Sequence, residues 1–131
     1  MKSMESMKRS ERDLASEVIG SAIEVHKHLG PGLLESAYES CVCTEMTIKG
    51  IPFMRQVPLE IQCKGEHIDC AYRMDIVVDG TLLLELKSTE PLQPIHQAQI
   101  ISYLKLSGIK QGLLVNFNER LLKNGIKSFL N

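Results

Sequence analysis

The chain has 131 residues, 44% hydrophobic and 24% charged, which fits one soluble globular domain and excludes wholesale disorder. No apolar run approaches the roughly 18 residues of a membrane-spanning helix, and the opening residues lack the apolar core of a secretory leader. A net charge of −1 argues against a protein that coats nucleic acid, but the charge is segregated: +2 over residues 1–12, −7 over 13–90 and +4 over 91–131.

Residues 1–9 are polar and Met-rich and are expected to form a flexible basic tail, with residues 10–131 as a single domain. Ser10 is the expected cap of a first helix, with Asp13 three residues on. Leu14, Val18, Ala22, Val25 and Leu29 recur at steps of three and four, so one helical face is apolar up to Gly30-Pro31-Gly32. A second helix is expected over about 33–48, with Leu34, Ala37, Tyr38, Cys41, Val42 and Met46 on one side and Gly50 and Pro52 closing it.

The period then changes. Val57, Leu59 and Ile61 alternate, so 53–63 reads as a strand, and Pro58 marks an edge or a bulge. A turn at 64–66, a short strand near 67–70, and strands over 71–78 and 82–88 continue as a meander. Pro91 and Pro94 bracket the start of a third helix, about 94–107, which Gly108 caps. Leu113 to Phe117 is a buried strand, and 125–130 is either an edge strand or loose. The order is α-α-β-β-β-α-β, an α/β domain with a mixed central sheet flanked by helices.

The four cysteines form no CxxC pair. Cys41 and Cys43 are two apart on a helix and diverge, so reduced structural thiols are expected and zinc is not. His26, His28, His67 and His96 show no ligand spacing with them.

The informative stretch runs from Arg73 to Lys87. Side chains alternate across a strand, which gathers Met74, Ile76, Val78, Leu82, Leu84 and Leu86 on one face. The other face gathers Arg73, Asp75, Val77, Leu83, Glu85 and Lys87. Keeping both sets together requires paired positions with an even sum, so a plain two-residue Asp79-Gly80 turn is excluded. A three-residue loop or a bulge is expected, most simply 78–80 with left-handed Gly80, placing Glu85 opposite Arg73 and diagonal to Asp75. Two adjacent carboxylates repel, and a hard divalent cation such as magnesium or manganese relieves that. Such an ion can polarise a phosphodiester, and a lysine two residues along can stabilise developing phosphate charge. An acid-x-lysine triplet alone is weak, because this composition yields about one by chance. Solvated charges on the outer face of a half-buried sheet remain the alternative.

At this point the chain resembles the PD-(D/E)XK nuclease superfamily, with Asp75 as the first acid and Glu85-Leu86-Lys87 as the second motif. Met74 stands where that pattern usually has proline. More specifically, Gly32-Leu-Leu-Glu35-Ser-Ala-Tyr38 resembles the signature of the GxxExxY family within it. The likeness continues through Gln56, His96-Gln-Ala-Gln99 to Tyr103, and Gly112 to Phe117. The resemblance implies a restriction-endonuclease-like core and a cytoplasmic magnesium- or manganese-dependent nuclease acting on DNA, or second on RNA. It implies Asp75, Glu85 and Glu35 as metal ligands, with the Leu86 carbonyl, and Lys87 as the catalytic lysine. Gln99 and Tyr103 would orient the site or touch substrate.

Bland readings stand beside these: Tyr38 as a core residue with a satisfied hydroxyl, Glu35 as a first-turn acid, Gln99 as a structural amide and His96 as a surface or packing residue. Arg73 could pair with Glu85 when no metal is bound. Lys105 and Lys110 are candidates for phosphate contacts beside the site. A non-catalytic interaction module that keeps the fold is the competing function. A hydrolase of small phosphoesters is a third, which an enclosed pocket would favour. A homodimer is one route to cutting two strands, and no residue decides it.

Overall fold

The computed structural model describes residues 11–69 and 72–131, so the expected tail, the Ser10 cap and Cys70 lie outside the described residues. Helices α1 (Glu11–Leu29) and α2 (Glu35–Ile48) are followed by strands β1 (Phe53–Pro58), β2 (Ile61–Cys63), β3 (Glu66–Ile68), β4 (Arg73–Val78) and β5 (Leu82–Lys87). Helix α3 (Pro94–Ser107), β6 (Gln111–Asn116), a short 3-10 turn (Leu122–Gly125) and β7 (Ile126–Leu130) complete the chain. No helix among the described residues is long and apolar enough to cross a membrane.

Five strands form one mixed sheet in the order β1-β4-β5-β6-β7. The β1–β4, β4–β5 and β6–β7 pairs are antiparallel, and β5–β6 is parallel. A parallel neighbour needs a crossover, and α3 supplies it. The expected meander is interrupted: β1 pairs with β4, while β2 and β3 make a separate hairpin between them. The single strand expected over 53–63 is therefore two, broken just after Pro58, which has no N–H to donate. Pro58 does sit on an edge strand, as its chemistry requires. Residues 126–130 form the opposite edge.

The apolar stripe of α1 is buried as its spacing predicts: Leu14, Val18, Ala22 and Val25 are each at most 2% exposed. With Tyr38, Val42 and Met46 of α2 they cover one face of the sheet, through Ile76, Val78, Leu82, Leu84, Leu86, Leu113 and Val115. The second face is covered by α3, whose Ile100, Tyr103 and Leu104 pack on Val77, Leu83 and Leu114. Gly112 allows that close approach, since a Cβ there would stand 3.0 Å from Ile100 Cδ1 and 3.1 Å from Leu104 Cδ1. Gly108 ends α3 in the left-handed conformation, φ +76°.

The β4–β5 faces separate as parity predicts, except that Met74 packs with the α3-side cluster. The register also differs by one step. Val78 pairs with Leu82, so the loop is 79–81, closed by a Thr81 N–H bond to the Val78 carbonyl at 3.0 Å. Asp79 and Gly80 both have positive φ (51° and 68°), a tight turn that adds Thr81 as the extra residue. Continuing that register puts Glu85 level with Asp75, not with Arg73.

Candidate active site

Strands β4 and β5 pair only from Val78 and Leu82 to Ile76 and Leu84. Beyond that point the backbone ladder is replaced by side chains. The Asp75 N–H donates to Glu85 Oε2 at 2.7 Å, and the Leu86 N–H donates to Asp75 Oδ2 at 2.9 Å. Each carboxylate thus satisfies a backbone donor of the other strand, and the two acids sit side by side in the fork. Asp75 is half-buried and Glu85 is only 3% exposed. Burial, and then the charge of Asp75, push the Glu85 carboxyl up to about 8. Asp75 is raised in the same direction, chiefly by burial, against the Leu86 N–H and Lys87, which favour its charged form.

Parity carries Lys87 to the same face as Glu85 and towards α3. Its Nζ donates to Gln99 Oε1 at 3.3 Å. Gln99 and Tyr103 are one helical turn apart and share a face. Tyr103 is 7% exposed, and its phenol is raised by burial and then by Glu85, Tyr72 and Asp75, against a hydrogen bond with Gln99. His96 is tied to the start of α3, its Nδ1 accepting the Gln93 N–H at 2.9 Å in a capping box.

On α2 the motif residues divide. Tyr38 is fully buried, stacked on Phe117 with centroids 4.3 Å apart, and its hydroxyl donates to the Gly30 carbonyl at 2.6 Å and accepts the Leu33 N–H at 3.0 Å. That is the core reading of this tyrosine. Ser88 Oγ donates to the Leu33 carbonyl at 2.5 Å, which ties the turn before α2 to the exit of β5. Glu35 is the exposed first residue of α2, near enough to raise both Asp75 and Glu85. Arg73 donates to the Gln56 carbonyl at 3.3 Å, so its hydrogen bond goes to β1.

Glu39 has no counterpart in the sequence reading. One turn after Glu35, it is 8% exposed and accepts from Arg55 Nε and Nη2 (3.1 and 2.9 Å) and from Gln56 Nε2 (2.8 Å). Gln56 has φ +50° and occupies the β1 position level with Asp75, between the pairs Arg55–Ile76 and Val57–Met74. The spacing of Glu39 from Glu35 was the available signal: like charges at i and i+4 on a helix repel, which points to a partner for one of them.

Among the described residues, no three His, Cys, Asp or Glu side chains form a group that could hold a metal ion by themselves. Cys41, Cys43 and Cys63 are free thiols, and burial pushes Cys43 up to about 11. Asp75 and Glu85 are the suitable oxygen donors. Each uses one oxygen on a backbone N–H, which leaves Asp75 Oδ1 and Glu85 Oε1 without a hydrogen bond among the described residues. A buried pair of carboxylates, each raised by desolvation, fits a divalent cation.

Beside them lies a half-open groove of about 490 Å³ whose lining includes Lys87, Gln99 and Tyr103. Lys110 lies elsewhere: it precedes Gln111, which pairs with Leu82, a full strand length from Lys87.

The sequence model of the PD-(D/E)XK nuclease superfamily matches residues 12–129. Comparison with curated proteins and with solved structures found no match.

Proposed function

The chain belongs to the PD-(D/E)XK nuclease superfamily, and on that premise we propose that it is a metal-dependent nuclease cutting phosphodiester bonds of DNA, with RNA second. The observation that carries this reading is the fork between β4 and β5, where Asp75 and Glu85 lie together with Lys87 two residues on. In this reading Asp75 and Glu85 would hold magnesium or manganese with the Leu86 carbonyl, and Glu35 would reach the same ion through a water. The ion, when bound, offsets the two carboxylates, polarises the scissile phosphate and makes its water acidic.

Lys87 is the catalytic lysine. Its ammonium stabilises the charge that builds on the phosphate oxygens, and Gln99 holds it by one hydrogen bond. Tyr103 packs beside them and keeps Gln99 in place. Glu39, both of whose oxygens are engaged, positions Arg55 and Gln56 behind Asp75. The finer assignment to the GxxExxY family rests on Gly32, Glu35 and Tyr38. It is supported by Gly32 at φ +97° and by the Tyr38 hydroxyl, which fixes the turn that presents Glu35. Residues 10–131 act as one domain in the cytoplasm, and a homodimer would supply two sites for two strands.

Cleavage of labelled single-stranded, duplex and branched DNA and of RNA, with magnesium or manganese, tests the proposal. Lys87→Ala and Asp75→Asn should abolish the activity of the wild type. Intact substrates under both metals would leave the non-catalytic module as the better reading.

A further inference from the structure

We propose that the groove between the β2–β3 hairpin and α3 receives an unpaired, unstacked nucleobase, so that the substrate is single-stranded at the point of cleavage. This rests on the nuclease reading above and names the form of its substrate.

The groove is continuous with the site. Lys87, Gln99 and Tyr103 belong to both, and the charges of Glu85 and Asp75 act on Tyr103. Away from Lys87 its walls become apolar and solvated: Tyr72 is 50% exposed, Ile95 70% and Leu106 48%. Large apolar side chains left in water beside a buried charged centre mark a surface that a ligand covers. Tyr72 and Tyr103 meet edge to face, centroids 6.3 Å apart at 68°, so the groove already carries an aromatic pair beside Lys87. A volume of about 490 Å³ falls within the ~300–1,000 Å³ that accommodates small ligands.

The charge pattern selects the occupant. A duplex tracked along its backbone needs a row of cations for its phosphates. Among the described residues that line it, this groove offers Lys87 as its one permanent cation, and His96 has its Nδ1 committed to the helix cap. What the walls can hold is a flat apolar face. In a duplex that face is hidden by stacking, so it becomes available only in a single strand or after extrusion. The phosphate next to such a base would then lie at the Lys87 end of the groove.

Binding of a short fluorescein-labelled oligothymidylate and of a hairpin duplex of equal length, in chelator and at one salt concentration, tests this without cleavage. The single strand should bind more tightly. Tyr72→Ala and Ile95→Ser, on exposed positions of two different segments, should each weaken it by roughly 10-fold, while duplex binding stays unchanged. Tyr72→Phe should retain the affinity, because stacking uses the ring and not the hydroxyl. Equal affinity for the two forms, or single-strand affinity unmoved by Tyr72→Ala and Ile95→Ser, would overturn the proposal. Cleavage assays with magnesium or manganese separate the two readings. Duplex cleavage insensitive to Tyr72→Ala removes the base groove and keeps the nuclease. Tyr72-dependent binding of single strands that no metal converts to cleavage removes the nuclease and keeps the groove.

Discussion

The two faces of the central sheet are built from the same strands to opposite ends. Towards α1 and α2, β4 and β5 present only aliphatic side chains, and Ile76, Val78, Leu84 and Leu86 are sealed there. Towards α3, the same two strands present Val77 and Leu83 and then Asp75, Glu85 and Lys87. The change comes where the backbone ladder ends. While the strands pair, both faces are apolar. Once they part, carboxylates take over the hydrogen bonds that the backbone gives up. One face supplies stability and the other holds charges at a cost in stability, which a cation would offset.

The largest expected effect breaks the comparison on the open face. Lys87→Ala should lower cleavage by at least ~10²-fold with little change in the melting transition, because Lys87 is half-exposed and its side chain makes one hydrogen bond among the described residues. Parallel rate and melting measurements check it, and a large loss of stability would mean that Lys87 is structural. Next comes the sealed face. Leu84→Ala, at a fully buried position, should cost about 2–5 kcal/mol in denaturant unfolding.

Apart from Met74, which packs on the α3 side, the apolar face was legible in the sequence because parity fixes it. A shift of the hairpin loop from 78–80 to 79–81 keeps the sum of paired positions even, so the grouping of Asp75, Glu85 and Lys87 survives an error in register. The shift itself was not legible. It depends on whether Thr81 joins the strand or the turn, which Asp79-Gly80 alone does not settle. The pairing of β1 with β4 across the β2–β3 hairpin is likewise a long-range choice that local alternation does not carry. Glu39 was missed because its partners, Arg55 and Gln56, come from strand β1, remote from the helix that carries it.

A titration sharpens the cost on the open face. Glu85 has its folded-state value raised from 4.5 to about 8, so the folded protein holds a proton that the unfolded chain has released. Stability from this group is present below the unfolded value and is lost as pH rises through the folded one. Metal-free protein should therefore lose stability between about pH 5 and 8, and magnesium or manganese should restore it at the upper end. Glu85→Gln keeps an oxygen for the Asp75 N–H and removes the charge. At about pH 9 it should stabilise the metal-free protein by on the order of 2 kcal/mol and abolish the metal effect. Chemical unfolding across pH, with and without metal, reads both. A variant less stable than wild type at high pH would show that the carboxylates are not in conflict.

The smallest effect tests where the two faces meet. In one motif, Tyr38 points into the sealed side and Glu35 stands on the exposed first turn near the fork, three residues apart on α2. The Tyr38 hydroxyl holds Gly30 and Leu33, and Ser88 fastens the same turn to the strand that ends in Lys87. Tyr38→Phe keeps the stack on Phe117 and removes the two hydrogen bonds. Gly30 and Leu33 are partly solvated, so water replaces much of the loss, and the stability cost should be about 1 kcal/mol. If the hydroxyl acts only by fixing that turn, cleavage should fall modestly, and higher metal concentration should recover it as Glu35 is drawn back to the ion. Glu35→Gln should show the metal dependence without the stability loss. A Tyr38→Phe variant that loses all cleavage at every metal concentration, while melting as wild type, would place the hydroxyl in the chemistry.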